Sequence, residues 1–161
     1  MDWQAQNANF NALIKQLFHD KNWEKRAEAA RQLGFLKDGR SVNLLCSALK
    51  SEKDHTVCNR IIEAMGRIAD GRATLPIIEK LKEEMDQQEA DKMSIIYIIE
   101  SLTRIKDKRA LVYIGNFLSS PDEDLRKLSE KAFDLIEPKW RKILEEERKE
   151  KSIHDIFKVN F

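Results

Sequence analysis

The chain has 161 residues, 42% of them hydrophobic and 35% charged, with 29 Lys and Arg against 28 Asp and Glu. That length suits one domain with an extensive solvated surface, and a net charge of +1 excludes a whole-molecule field that would steer it to nucleic acid or anionic lipid. No apolar run approaches the roughly 20 residues of a bilayer span, and the polar start from Asp2 to Asn11 lacks the layout of an export signal. Cys46 and Cys58 show no metal-ligand spacing, so a reducing, cytoplasmic compartment is expected.

The first predicted element, within residues 1–21, is an amphipathic helix in which Phe10, Leu13, Ile14, Leu17 and Phe18 share one face. Leu13 and Leu17 stand one 32-residue step before Leu45 and Leu49, so this helix is expected to close the N-terminal end as half of an incomplete repeat. Four segments then follow one template. They start at Asn22, Asp54, Asp91 and Asp122, in steps of 32, 37 and 31 residues. Each places an apolar residue eleven positions on, at Leu33, Met65, Leu102 and Phe133, and another three later, at Leu36, Ile68, Ile105 and Ile136. A period of this length marks two-helix units that cannot bury their apolar faces alone and share a core along one axis. The opening Asn or Asp can accept hydrogen bonds from the free N–H groups of a helix start.

Each first helix is followed by a turn: Lys37-Asp38-Gly39-Arg40, Ala69-Asp70-Gly71-Arg72, and then Lys106-Asp107-Lys108-Arg109. In these turns glycine is expected to take the unusual backbone angles and aspartate to bond nearby N–H groups. Second helices are predicted over about 41–50, 73–85 and 110–119, with Leu45, Ile77 and Ile114, then Leu49, Leu81 and Leu118, forming an inward stripe. Pro76 falls in a first turn, where little bonding is lost, and the excess at 83–88 reads as an extended helix or loop. The repeats are thus placed at 22–50, 54–86, 91–119 and 122–150 in a single domain, with a last helix starting at Pro138 and carrying Trp140, Ile143 and Leu144. A tail at 151–161 is rich in apolar residues.

In the first repeat, Asn22, Arg26, Ala29, Ala30, Leu33, Gly34, Leu36 and Asp38 follow the pattern Asp-x-x-x-Arg-x-x-Ala-Ala-x-x-Leu-Gly-x-Leu-x-Asp. This pattern resembles the HEAT repeat, in the short form found in phycobilisome lyases and many small prokaryotic proteins. The second repeat keeps Asp54, Met65, Gly66, Ile68, Asp70 and Arg72 but has Cys58 where the arginine stood; the third has Ile95 there and Thr103 for the glycine. The resemblance implies an all-α, right-handed α-α superhelix, a HEAT-like solenoid of about four helix-pair repeats with N- and C-terminal capping helices. It also implies two alternative functions: a lyase-type subunit or chaperone assisting covalent cofactor attachment, and a nucleic-acid-binding protein.

The pairs Asp38/Arg40, Asp70/Arg72 and Asp107/Arg109 fall on adjacent repeats and would form a ladder along one edge. Pointing into the groove instead, the arginines would join Lys50 and Lys82, opposed by Glu79, in a mildly basic surface for acidic peptides or phosphates. Asn43, Leu75 and Val112, with Ser47, Glu79 and Asn116, point away from the inward stripe and would line the concave face. The expected function is a non-enzymatic scaffold that binds a protein or peptide there, with nucleic acid and membrane disfavoured. Ile153, Ile156, Phe157 and Phe161 would fold on the last repeat or dock on a second copy, giving a monomer or a tail-mediated homodimer. His19, His55 and His154 share no face, so no metal and no cofactor is expected. Trp140 with Asp107 and Glu137 is the one grouping that could assemble an aromatic-and-carboxylate cleft for a nucleobase.

Overall fold

The computed structural model describes residues 2–158, with side chains through Lys151. The described residues form α1 (Trp3–His19), α2 (Trp23–Leu36), α3 (Val42–Ser51), α4 (His55–Ile68), α5 (Thr74–Met85), α6 (Lys92–Ile105), α7 (Leu111–Ile114), α8 (Glu123–Ile136) and α9 (Trp140–Lys158). The first helices α2, α4, α6 and α8 each have 14 residues and each begins directly behind its expected cap. Asn22 Oδ1 accepts from the Glu24 N–H at 2.8 Å, and Asp54 Oδ1 accepts from Thr56 at 2.9 Å and Val57 at 3.1 Å. Asp91 and Asp122 each satisfy two N–H groups in the same way. Each cap is worth about 1 kcal/mol, and together they set the register of the array.

The first helices stack in a row, α2 on α4 on α6 on α8, while each second helix leans on the first helix that follows: α3 on α4, α5 on α6, α7 on α8. Leu33, Met65 and Leu102 occupy equivalent, fully buried places, as do Leu45, Ile77 and Ile114. The result is one continuous apolar interior from Phe10 to Ile136 that each repeat shares with its neighbours, the all-helical solenoid expected. Small residues set the spacing of the row. A Cβ on Gly34 would lie 2.8 Å from Ala64 Cα, and one on Gly66 would lie 2.7 Å from Ser101 Oγ. At the third copy Thr103 stands in the glycine's place and turns its hydroxyl back to the Ile99 carbonyl at 2.6 Å.

Several local expectations are corrected. Leu36 is 47% exposed at the end of α2, and Phe133 is only half-buried while Ala132 beside it is fully buried. Neither turn glycine has a positive φ. The left-handed residues are Lys37 (φ 49°), Ala69 (φ 59°) and Lys106 (φ 58°), because each helix is terminated one residue before the aspartate. The third second helix is cut to Leu111–Ile114 and tightens into a 3₁₀ turn at Gly115–Phe117. With three residues per turn the phase shifts, so Phe117 is buried where Leu118 was expected.

The last helix begins at Trp140, since Pro138 and Lys139 form a turn, and residues 141–151 are exposed on every side. Ile143 and Leu144 therefore form no inward stripe. Trp140 anchors the start of α9, with its ring 5.2 Å from Phe133 and its indole N–H donating to Asp134 at 2.7 Å. The side chains of Ile153, Ile156 and Phe157 lie outside the described ones, and Phe161 lies outside the described residues. No described helix is long and apolar enough to cross a membrane.

Candidate functional site

At each turn between a first and a second helix, one carboxylate serves two purposes. Asp38, Asp70 and Asp107 accept from the backbone N–H of Arg40, Arg72 and Arg109 at 2.9, 2.9 and 3.0 Å. They also pair with the same residues' guanidinium groups at 2.6, 2.8 and 2.6 Å. Each arginine then reaches one repeat back: Arg72 to the Gly39 carbonyl at 3.0 Å, Arg109 to the Gly71 carbonyl at 3.5 Å, and Arg40 to Asn7 Oδ1 at 2.8 Å. Asn7 precedes Gly39 by one 32-residue step, so α1 completes the ladder with a side chain where later repeats use a turn carbonyl.

The Arg109 guanidinium, with its backbone N–H, holds the Asp107 carboxyl at about 2 against the opposing effect of burial, below an ordinary value of 3.8. A carboxylate with a depressed folded pKa contributes stability above its unfolded value and loses it as the pH falls through the folded one. Asp107→Asn should therefore flatten the fall of Tm between about pH 4 and pH 2 and lower neutral-pH stability by up to about 1 kcal/mol, the scale of a partly exposed ion pair, since the Asn oxygen still caps the Arg109 N–H. Thermal unfolding across that range checks both.

The face of the second helices carries a different chemistry. Asn43, Ser47 and Lys50 on α3, Leu75 and Glu79 on α5, and Val112 and Asn116 around α7 are exposed, and Lys82 is half-buried. Leu75 is 54% exposed and Val112 77% exposed, two apolar side chains on adjacent repeats. Around them the polar groups are locally occupied. Ser47 Oγ donates to the Asn43 carbonyl at 3.1 Å, and Asn116 Nδ2 donates to the Tyr113 carbonyl at 3.1 Å. Lys82 pairs with Glu79 at 2.9 Å and sits 5.2 Å above the Tyr113 ring. Tyr113 was missed from sequence. Its place in the second helix is held by Leu44 and Pro76 in earlier repeats, so an aromatic ring there was the available signal.

The outer face of the first helices carries its own ion pairs beside exposed apolar side chains such as Phe35 and Leu135. Glu63 binds Arg60 at 2.7 Å and Arg67 at 3.1 Å, and the Arg67 guanidinium covers Phe35 at 4.5 Å. The nucleobase-type grouping does not form, because Asp107 is held by Arg109, Glu137 by Lys108 at 2.6 Å, and Trp140 by Asp134. Among the described residues no group of His, Cys, Asp and Glu is arranged to hold a metal. Cys46 and Cys58 are free and half-buried, and burial pushes both thiols up.

The HEAT repeats family matches residues 10–90, half of the chain. Protein YibA of Escherichia coli K12 is 34% identical over 83 residues, covering 52% of this chain and 28% of YibA. Bilin biosynthesis protein PecE of Mastigocladus laminosus is 33% identical over 82 residues, covering 47% of this chain and 30% of PecE. The aligned segment thus spans about a third or less of these curated relatives. Among solved structures, a chain of the complex of CpcE and CpcF of phycocyanin lyase from Nostoc sp. PCC7120 superimposes with a TM-score of 0.70 at 20% identity, over 82% of this chain and 54% of that one. At that identity the likeness establishes the fold. The expectation of a non-enzymatic chain is overturned by the sequence relatives, among which are proteins named bilin biosynthesis protein PecE.

Proposed function

Because this chain belongs to the HEAT repeat family, we propose that it is a lyase-type module that assists covalent attachment of a bilin-like cofactor by holding a protein partner on its second-helix face. The observation that carries this reading is the pairing of Leu75 and Val112, exposed on adjacent repeats within a rim of internally satisfied polar groups. Apolar centres with polar rims are what protein interfaces use, whereas phosphate recognition needs free guanidinium donors. Here the Nε and Nη2 donors of Arg40, Arg72 and Arg109 are engaged along the turn edge. The bilin assignment rests on the relatives' names and the partner assignment on the face.

The test is to purify the chain with its protein partner, add the bilin of phycocyanin, and denature the mixture. Visible absorbance that stays with the partner polypeptide after denaturation, and that depends on this chain, supports the reading. Absorbance that is released in full on denaturation, with or without the chain, refutes it.

A further inference from the structure

At the opposite edge, where second helices end and first helices begin, the repeats solve one position in different ways. In the first repeat Arg26 crosses the gap to Glu52, with N–H···O distances of 2.9 and 3.1 Å, and donates to the Asp20 carbonyl at 2.9 Å. Glu52 also accepts from the Asp54 N–H at 3.0 Å, tying the end of one repeat to the cap of the next. In the third repeat both places are apolar, Ile95 and Pro121. The second repeat keeps only half of the pair. Glu84 stands one 32-residue step after Glu52 and repeats its role, accepting from the Asp91 N–H at 3.2 Å, but Cys58 replaces the arginine.

Glu84 is therefore a carboxylate 8% exposed that accepts from the Asp91 N–H through Oε2 and is matched by no arginine of its own repeat. It lines a cleft of about 90 Å³ together with Cys58, His55, Asn59, Ser94 and Ile98. That is well above the roughly 10–15 Å³ a single water requires. Lys53 lines the cleft as well as His55, and of its other charges Glu52 is matched by Arg26 and Lys80 by Glu83 at 2.7 Å. A buried carboxylate deprived of its partner is strongly unfavourable and is relieved by a planar cation that offers two parallel N–H groups. We propose that this cleft binds a guanidinium group, the arginine side chain of a protein partner, inserted where the first repeat supplies its own Arg26.

The experiment is an amide NMR titration of the full chain with ethylguanidinium chloride, with ethylammonium chloride at equal ionic strength as the control. Saturable shifts at Cys58, Asp91 and Ser94, several-fold stronger for ethylguanidinium, are expected, with an affinity in the millimolar range. They should weaken at least tenfold in Glu84→Gln. Cys58→Arg, which restores the internal arginine, should abolish them and raise Tm by roughly 3 °C or more. Blocked arginine, acetylated and amidated, should bind like ethylguanidinium, as a side chain on a partner would. Non-saturable shifts, equal shifts with ethylammonium, an unchanged titration in Glu84→Gln or Cys58→Arg, or binding of free arginine alone would overturn the proposal.

Discussion

Gly66→Val is expected to lower the stability of the chain by about 3 kcal/mol, the upper part of the range for overpacking a well-packed contact. In a chain of this size that corresponds to a fall in Tm of roughly 10 °C. Gly66 is where α4 meets α6, and an added Cβ would sit 2.8 Å from the Ser101 Cα as well as 2.7 Å from its Oγ. Backbone on both sides leaves no flexible group to yield, so the two helices must separate and Ile61, Met65, Ile98 and Leu102 lose contact with them. The control is Gly71→Ala. A Cβ there meets nothing nearer than Asp107 Oδ2 at 3.9 Å, and φ is not positive, so the change should stay within about 0.5 kcal/mol. Urea unfolding of the two variants compares a close approach with a turn, and equal stabilities would contradict the stacking described.

Arg26→Leu is expected to cost about 3 kcal/mol, near the lower bound for breaking a buried ion pair, because the side chains of Arg26 and Glu52 keep 18% and 10% of their exposure. Burial pushes the Glu52 carboxyl up, but hydrogen bonds from Arg26 and from the Asp54 and Lys53 N–H groups outweigh it and hold the group below its usual 4.5. The pair's contribution is therefore present above about pH 4.5 and lost as the pH falls through the folded value. Removing Arg26 leaves the carboxylate desolvated and unmatched. Adding Glu52→Gln to Arg26→Leu should recover part of the loss, with a coupling of about 1–3 kcal/mol in a double-mutant cycle. Strict additivity of the two changes would show that the pair does not act as a unit.

The architecture was legible because it is written in repeated local chemistry. Asn22, Asp54, Asp91 and Asp122 cap helices whatever surrounds them, and Leu33, Met65 and Leu102 recur at one offset because each meets the same neighbours. What failed was phase and termination. Gly115 and the 3₁₀ turn after Ile114 move burial from Leu118 to Phe117, a shift of one residue that periodicity counting does not register. The left-handed position belongs to Lys37, Ala69 and Lys106, because the helix end demands it one residue before the turn, and side chains of any type can be forced there at about 1 kcal/mol or more. The last helix starts at Trp140 instead of Pro138, and past Trp140 its course is exposed, Ile143 and Leu144 included.

The site was less legible than the fold. The chain pattern located Arg40, Arg72 and Arg109, but only the geometry shows their Nε and Nη2 donors engaged by Asp38, Asp70 and Asp107, with Arg72 and Arg109 also reaching the repeat before. The Arg26–Glu52 pair joins residues 26 positions apart, and its signal in sequence was the second acid, Glu84, one 32-residue step on beside a cysteine instead of an arginine.

The decisive measurement is calorimetric affinity of the co-purified protein partner for Leu75→Glu/Val112→Glu beside Arg72→Gln. If the second-helix face holds the partner, the first variant loses about 100-fold or more in affinity, the scale of two desolvated apolar anchors replaced by charge, while the second stays within about threefold. Full affinity in Leu75→Glu/Val112→Glu, with loss in Arg72→Gln, would contradict it and move recognition to the turn edge.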